Sequence, residues 1–396
     1  MFYRESGQFK TSYAADQAIF PIAQDRWFVL AAIALAYLVP LVANEYLLQA
    51  VLIPLLIFAL AAIGLNLLVG YAGQLSLGTG GFMAVGGYMA YKLTTGFPEL
   101  NMVVVFLLAG LVAAGVGLVF GIPSLRIKGF YLAVATLAAQ FFLGWLFNKV
   151  PWFYNDNPSG TIAAPPREMF GVLVTGAGAT AEVRYLVALA LVTVLALVAK
   201  NLARGRVGRA WMAVRDMDIA AEIIGIRPMQ TKLIAFAVSS YIVGVAGAMF
   251  AFIVQGNVEA DAFDILTMSF PILFMVIVGG LGSVIGSIMG AVFILVLPVF
   301  IKNFPALFAT IFVLGLTFGV MGWLKEKAGL RWATLAVGLV AAGFVAMQDY
   351  NSTMAEHLVL IFFGLSIILV LIFEPHGLAR LWQIGKEKLR LWPFPY

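Results

Sequence analysis

Residues 185–203 read YLVALALVTVLALVAKNLA, and residues 204–232, which follow, read RGRVGRAWMAVRDMDIAAEIIGIRPMQTK. The first stretch is an apolar run that is about long enough to cross a hydrocarbon core. The second is a polar island in which apolar residues still recur every three to four positions. These residues are expected to line one face of a short helix or helix pair: Val207, Trp211, Val214, Ala221 and Ile224. The sequence therefore predicts a membrane span followed by a folded loop.

Apolar runs of this kind recur along the whole chain. Hydrophobic residues make up 63% of the chain and charged residues 11%. A soluble domain of this composition would expose one continuous apolar surface. The chain is therefore predicted to be an all-α, polytopic helical membrane protein with about ten to twelve transmembrane helices, at 27–43, 47–70, 74–91, 101–121, 129–149, 185–203, 232–254, 266–282, 284–301, 306–323, 332–348 and 357–373.

The distribution of basic residues predicts how the chain is oriented. Lys and Arg concentrate in cytoplasmic loops, so the island and the basic segments Arg126–Lys128 and Lys325–Arg331 are expected inside. The acidic loops Glu259–Asp264 and Asp349–Glu356 then lie outside. Both termini are then predicted to be cytoplasmic. The net charge of +5 is explained by topology and does not indicate nucleic-acid binding.

The predicted organisation follows from these spans. Residues 1–26 form a cytoplasmic N-terminal segment, which lacks the pattern of a cleaved signal peptide. Residues 27–378 form the transmembrane domain, and residues 379–396 form a cytoplasmic tail.

The third predicted span is unusually rich in glycine. Residues Gly73–Ala90 read GQLSLGTGGFMAVGGYMA, with six Gly together with Gln74, Ser76 and Thr79. Glycine lets helices approach closely or interrupts them, and irregular backbone at membrane depth is buried in protein or faces a cavity. Two compatible hypotheses follow: a tightly packed helix interface, and a discontinuous helix lining a transport path. A partial echo, GGLGSVIGSIMGA from Gly279, indicates an internal pseudo-repeat.

Several kinds of chemistry are missing from the sequence. There is no cysteine and there are only two histidines, which excludes thiolate and multi-histidine metal sites. No ionisable residue lies clearly in the middle of a span, and no G-x-x-x-x-G-K-[ST] motif is present. The chain is therefore predicted not to be an enzyme and to carry no metal or cofactor. Any energy source would be on another chain.

The polar island is the expected docking surface for that energy source. Its first helix is predicted at 208–216. The second would be capped by Asp218, carry Glu222 in its first turn, and end at Gly225 before Pro228. The alternative is an amphipathic helix that lies on the membrane with its arginines at lipid phosphates.

At these residues the chain resembles a known family, the permease subunits of bacterial branched-chain amino-acid ABC importers, in their LivM-like branch. Four blocks carry the resemblance: GLNLLVGYAGQLSLGTGGF (Gly64–Phe82), GRVGRAWMAVRDMDIAAEIIGI with KLIAFAVSS (Gly205–Ser240), VGGLGSVIGSIMGA (Val278–Ala291) and FGLSIILVLIFEPHGL (Phe363–Leu378). Two departures stand out. Residues 304–353 read as a two-span insertion, and the outer loop NPSGTIAAPP matches the family only loosely.

The resemblance implies a set of partners and a location. The partners are a homologous second permease, two cytoplasmic ATPase subunits that bind ATP and Mg, and a periplasmic substrate-binding protein, with lipid around the spans. The location is the bacterial inner membrane. Residues 204–230 resemble the loop that couples the permease to the ATPase, although the order here is Ala-Ala-Glu instead of Glu-Ala-Ala. The coupling residues so implied are Arg206, Gly208, Arg209, Arg215, Asp218, Glu222 and Gly225.

The predicted function is the transport of branched-chain or related amino acids. A zwitterionic substrate would meet neutral polar groups in the spans, and the candidates are Asn66, Gln74, Ser76, Thr79 and Gln140. Each could equally be an interhelical hydrogen bond. The rival hypotheses are a permease for urea, amides or another small polar solute, an ATP-independent secondary carrier, and a structural membrane protein.

Overall fold

The computed structural model describes residues 11–12, 18–20, 23–124, 131–169, 171–176, 178–323, 328–346, 352–373 and 376–391. The fold is helical, as predicted. Its helices are α1 (Ala23–Leu38), α2 (Leu47–Tyr71), α3 (Thr79–Gly96), α4 (Met102–Ser124), α5 (Tyr131–Lys149), α6 (Pro151–Tyr154), α7 (Ala181–Arg204), α8 (Arg206–Asp216), α9 (Asp218–Ile223), α10 (Pro228–Gln255), α11 (Ile265–Gly279), α12 (Val284–Asn303), α13 (Pro305–Trp323), α14 (Ala328–Ala346), α15 (Ser352–Phe373) and α16 (Leu378–Leu391).

The long apolar helices confirm a multi-pass membrane fold. Within the described ranges, six helices are long and apolar enough to cross a membrane, namely α2, α4, α5, α7, α10 and α12. α11 is apolar but shorter. The predicted total of ten to twelve spans remains a prediction. Some residues used for the predicted orientation, among them Arg126, Lys128, Lys325 and Lys327, lie outside the described residues, as does most of the segment 1–26.

The chain divides into two compact units. The first comprises Met1–Val292 and Glu374–Tyr396, and the second comprises Phe293–Phe373. In the second unit α13 packs against α14 and α15, and the rings of Phe312 and Phe362 lie 5.9 Å apart. The candidate site described below lies in the first unit.

α10 is the centre of the first unit. It packs against α2, α3 and α4, and most of its residues are buried. A helix that is apolar on every side is expected to be surrounded in this way. The closest approach of α10 to its neighbours is to α3, where a Cβ on Gly86 would lie 1.9 Å from the carbonyl oxygen of Gly244. Small residues let these two backbones touch, as in other membrane helix pairs.

Replacing Gly86 with alanine should therefore destabilise the helix bundle. The added methyl group would meet backbone, which cannot move aside as a side chain can, and overpacking of this kind costs about 1–3 kcal/mol. Gly96→Ala is the matched control, because a Cβ there has no neighbour within 4 Å. Thermal unfolding of the two purified variants in detergent measures the difference. Equal midpoints would contradict the close α3–α10 contact.

The glycine-rich third span is interrupted. Residues 72–78 are not helical, and α3 begins at Thr79, five residues after the predicted start of this span at residue 74. Backbone N–H groups of this stretch bond outside the i→i−4 pattern that would continue a helix. The Gln74 N–H donates to the Leu68 carbonyl at 3.0 Å, and the Leu77 N–H donates to the Thr136 hydroxyl at 2.9 Å. The glycine-rich span thus contains a non-helical break at residues 72–78, followed by the closely packed helix α3.

Four short strands lie at one end of the first unit. β1 (Ile162–Ala163) pairs with β4 (Asn257–Val258), and β2 (Arg167–Met169) pairs with β3 (Val172–Thr175), both antiparallel. This end is called the strand end, and the opposite end, which carries α8 and α9, is called the α8 end. Since α5 runs from the α8 end to the strand end, its midpoint, Gln140, lies about halfway between them.

Candidate functional site

The island at the α8 end folds as a helix pair. Trp211 is fully buried, and its indole N–H donates to the Thr231 carbonyl at 3.1 Å, which holds α8 against the start of α10. Val214 and Ala221 are also buried. Gly208 is buried, and it lies so close to α7 that a Cβ there would be 2.1 Å from the Ala203 carbonyl oxygen. The buried face of the pair therefore includes fewer residues than the spacing of the apolar residues predicted.

The remaining apolar residues of the pair face solvent. Val207 and Ile224, predicted to lie on one face with Trp211, Val214 and Ala221, are exposed, whereas those three are buried. The exposed fraction reaches 82% at Ile223. The exposed face, called the docking face below, consists of Met217, Ile219, Ile223 and Ile224. An apolar face of this kind is typical of a protein-binding surface.

The second helix of the pair, α9, has no side-chain cap at its start but has a glycine stop after its end. Asp218 is its first residue and not its cap, because Met217 holds the cap position and no side chain bonds there. The Asp218 carboxylate lies 3.9 Å from the Lys232 ammonium instead. The end is as predicted: Gly225 has φ +89°, its N–H donates to Glu222, and the Ile226 N–H donates to Ala221, both at 3.0 Å. This left-handed glycine fixes the exit from α9.

The charged residues of the pair separate into two groups. Arg206, Arg209 and Glu222 are exposed on the helix pair. Arg215 is also partly exposed, but its guanidinium donates to the Gly70 carbonyl at the end of α2, at 2.7 Å. Its other contact is an exposed ion pair with Asp216 at 2.9 Å. Arg215 thus connects the docking face to the end of α2.

Asn66, one turn before Gly70, joins α2 to the turn between α11 and α12. Its side-chain amide is buried and donates to the Ser283 carbonyl at 2.9 Å and the Ser287 hydroxyl at 2.7 Å. Its oxygen accepts from the Gly282 N–H at 2.9 Å. Together with Arg215 and Gly70, these residues are called the α8 junction. The junction makes a continuous polar connection from α8 through α2 to the first turn of α12.

A second polar junction lies at half depth, around Gln140. The Gln140 oxygen accepts from the Gly81 N–H and from the Ser269 hydroxyl at 3.3 Å, and its nitrogen donates to the Phe263 carbonyl at 2.8 Å. Ser269 in turn accepts from the Gly80 N–H at 2.8 Å. These bonds fix the first turn of α3 between α5 and the start of α11. They are called the central junction.

A cavity of about 440 Å³ extends from the central junction toward the strand end. Its walls combine aromatic residues with polar ones: Gly81, Ala84, Gln140, Phe141, Gly144, Trp145, Asn148, Ala260, Asp261, Phe263, Asp264 and Thr267. The volume is within the range of about 300–1,000 Å³ that is usual for small-molecule sites.

The five predicted path residues are all buried, but they do not form one site. Asn66 belongs to the α8 junction, and Gln140 to the central junction with Thr79 nearby at the start of α3. Gln74 and Ser76 lie in the break between the two junctions. The Gln74 amide and the Thr79 hydroxyl have no hydrogen-bond partner among the described residues.

Several residues of the two junctions were missed from the sequence. Ser269, Ser283 and Ser287 could have been found as polar residues within apolar runs, the signal that identified Gln140. Asp261 and Asp264 were interpreted only as part of an acidic outer loop, and nothing local indicates that they border a cavity.

These helices and junctions define a multi-pass membrane protein whose buried polar groups join helices to one another. The chain belongs to the family described as branched-chain amino acid transport system, permease component, whose model matches residues 47–371. This family is a membrane transport component and not a family of enzymes.

Two curated proteins are similar to this chain. Both are described as the high-affinity branched-chain amino acid transport system permease protein LivM, from Salmonella typhimurium strain LT2 and from Escherichia coli strain K12. They are 34% and 32% identical over 269 residues, which is 63% of this chain and 62% of each relative. The chain thus matches less than two thirds of the length of these relatives. No solved structure matches the chain.

Proposed function

We propose that the chain is the transmembrane permease subunit of an ATP-binding cassette importer that carries branched-chain or related amino acids across the bacterial inner membrane. A second, homologous permease, two ATPase subunits with ATP and Mg, and a periplasmic binding protein complete the importer. The α8 end and both termini face the cytoplasm, and the strand end faces the periplasm.

The docking face carries this proposal. A short helix pair that exposes large apolar side chains together with Arg and Glu is suited to contact with a protein partner. The lipid alternative explains the helix pair less well, because α8 is held by buried Trp211 and does not lie free on a membrane surface. Since Arg215 connects the face to the α8 junction, the motion of an ATPase would reach α2 and α12 directly.

Alternating access then follows from rigid-body motion. Closure of the ATPase dimer on ATP moves α8 and α9, and the junctions carry that motion into the spans. The predicted coupling residues take different roles. Gly208 and Gly225 shape the helix pair. Four charged residues lie on its surface, namely Arg206, Arg209, Asp218 and Glu222. Arg215 transmits the motion of α8 to α2. The central junction would separate the periplasmic cavity from the break at residues 72–78.

Purification of the complex from native membranes and its reconstitution into proteoliposomes test this function. Leucine uptake should require ATP and Mg and fall at least tenfold without either. Ile223→Asp should remove the ATPase subunits from the purified complex, because it places a carboxylate in the middle of an apolar contact. Val172→Asp is the matched control, since Val172 is an exposed apolar residue at the strand end.

The outcomes separate the rival functions. Uptake that persists without ATP would identify a secondary carrier. Uptake of urea or amides in place of leucine would change the substrate class and leave the ATP-driven mechanism standing. Equal ATPase recovery with Ile223→Asp and with the wild type would show that the docking face is not the ATPase contact.

A further inference from the structure

The C-terminal helix α16 begins at the level where the spans end. Its second residue, Ala379, is buried against the turn between α11 and α12. A Cβ on Gly280 would lie 2.9 Å from the Ala379 Cβ, and one on Gly286 would lie 3.1 Å from it. This turn belongs to the α8 junction, and the span α12 begins directly after it, at Val284. The start of α16 is therefore fixed at the membrane boundary, at the α8 end.

Beyond this attachment α16 has an exposed apolar side. Among residues 378–385, the part of α16 whose side chains the structure describes, Ala379 is the only buried residue. The exposed fraction is 52% at Leu381 and 41% at Trp382. Positions three and four residues apart share one side of a helix, so these two side chains lie on the side of Leu378. Gln383 is exposed on another side. The side formed by Leu378, Leu381 and Trp382 is called the tail face below.

The sequence of α16 is strongly basic. Its 14 residues read LARLWQIGKEKLRL, with one acidic residue, Glu387, and four basic ones: Arg380, Lys386, Lys388 and Arg390. At 1.5 Å per residue the helix is about 21 Å long, which is too short to cross a hydrocarbon core of about 30 Å. A basic helix with leucine and tryptophan on one side is typical of helices that lie in the membrane interface.

We propose that α16 binds the anionic headgroups of the cytoplasmic leaflet, with the tail face at the boundary of the acyl chains and the basic residues at lipid phosphates. The inference uses the orientation given under the proposed function and is independent of the transported substrate. Two observations favour lipid over a protein partner. The helix starts at the membrane boundary, where lipid is within reach, and its charge is complementary to that of the cytoplasmic leaflet. Tryptophan is also enriched at this level of membrane proteins.

Fluorescence quenching on the full chain tests the contact with lipid. The chain contains no cysteine, so Leu381→Cys carries a single environment-sensitive fluorophore on the tail face. The purified protein is placed in nanodiscs of phosphatidylcholine, with or without phosphatidylglycerol. A lipid that carries a doxyl group near its headgroup should quench the fluorophore, and the quenching should be at least threefold stronger in discs that contain phosphatidylglycerol.

Gln383→Cys is the matched control, because Gln383 is exposed on the same helix but not on the tail face. A fluorophore there should be quenched by iodide from the water and little by the doxyl lipid. Its response should therefore be the reverse of that at Leu381→Cys.

Removing the basic residues tests the electrostatic part. In the Leu381→Cys background, the triple variant Lys386→Gln, Lys388→Gln, Arg390→Gln should lose the effect of phosphatidylglycerol on quenching. Glu387→Gln is the opposite control, because it removes the acidic residue of the same helix. Its quenching should equal or exceed that of the unmodified helix. Raising the salt to about 0.5 M should weaken the quenching of the unmodified helix, because salt screens charges at the membrane surface.

Two outcomes would overturn the proposal. Quenching that is equal with and without phosphatidylglycerol would show that anionic headgroups are not the partner. Protection of Leu381→Cys from iodide without quenching by the doxyl lipid would show that protein covers the tail face. If the triple variant cannot be purified, the comparison of the two lipid compositions decides.

The result is separate from that for the proposed function. Both faces of a nanodisc contain the same lipid, and the fluorescence requires neither ATP nor substrate. Lack of quenching would overturn the lipid contact and leave the importer standing. Failure of ATP-driven leucine uptake would overturn the importer and leave the quenching result unchanged.

Discussion

Arg215→Ala should reduce ATP-driven leucine uptake at least tenfold while the complex still assembles and hydrolyses ATP. Arg215 is the side chain that joins the docking face to α2, through its hydrogen bond to the Gly70 carbonyl. A hydrogen bond from a charged donor contributes about 1.5–3 kcal/mol, which corresponds to tenfold or more in an equilibrium between two conformations. Without this bond the ATPase would move α8 and the motion would not reach α2.

The measurement is the ratio of leucine transported to ATP hydrolysed in proteoliposomes. Asp216→Asn is the matched control, because it removes the exposed partner of Arg215 and retains the bond to Gly70. Exposed ion pairs contribute little, so the ratio should stay close to that of the wild type. If uptake and hydrolysis fall together in Arg215→Ala, the residue acts in docking and not in transmission.

Asn66→Leu should destabilise the protein by about 1–3 kcal/mol. Leucine has nearly the same size, but it leaves the Gly282 N–H without the acceptor that Asn66 provides. The Ser283 carbonyl loses the Asn66 amide but still accepts from the Ser287 N–H and hydroxyl. Each buried polar group left unsatisfied costs about 1–3 kcal/mol. The thermal unfolding midpoint in detergent should fall by roughly 1–4 °C.

Gln74→Leu provides the contrast to that variant. Gln74 is also a buried side-chain amide, but neither its oxygen nor its nitrogen bonds a described residue. Replacing it removes no hydrogen bond, so the unfolding midpoint should stay the same or rise. Equal losses of stability in both variants would contradict the role given to the α8 junction.

The sequence predicted the local structure of the island well. The helix pair, its boundary near residue 217 and the stop at Gly225 follow from helix periodicity and from the need for a left-handed residue. The same periodicity could not separate residues packed against the bundle, such as Trp211, from residues of the docking face, such as Ile224. Both are apolar, and only the position of the neighbouring helices decides which is covered.

The glycine-rich span illustrates a different limit. Its composition indicated either close packing or a break, and the structure contains both, at Gly86 and at residues 72–78. What composition could not supply is the partner of each polar group. Asn66 bonds Ser287, which is 221 positions away, and Gln140 bonds Ser269, which is 129 positions away. Such pairs depend on how spans are arranged, which is why the five predicted path residues separate into different places.

The short length of α11 has a consequence for the surrounding lipid. At 1.5 Å per residue this helix is about 22 Å long, whereas the hydrocarbon core of a bilayer is about 30 Å thick. Leu266 at its start is exposed, so part of this flank is available to the surroundings. Stretching or thinning a bilayer costs a fraction of a kcal/mol per ångström of mismatch. The stability of this side of the protein should therefore depend on membrane thickness. A neighbouring protein as short as α11 would remove the mismatch, whereas lipid must deform to accommodate it.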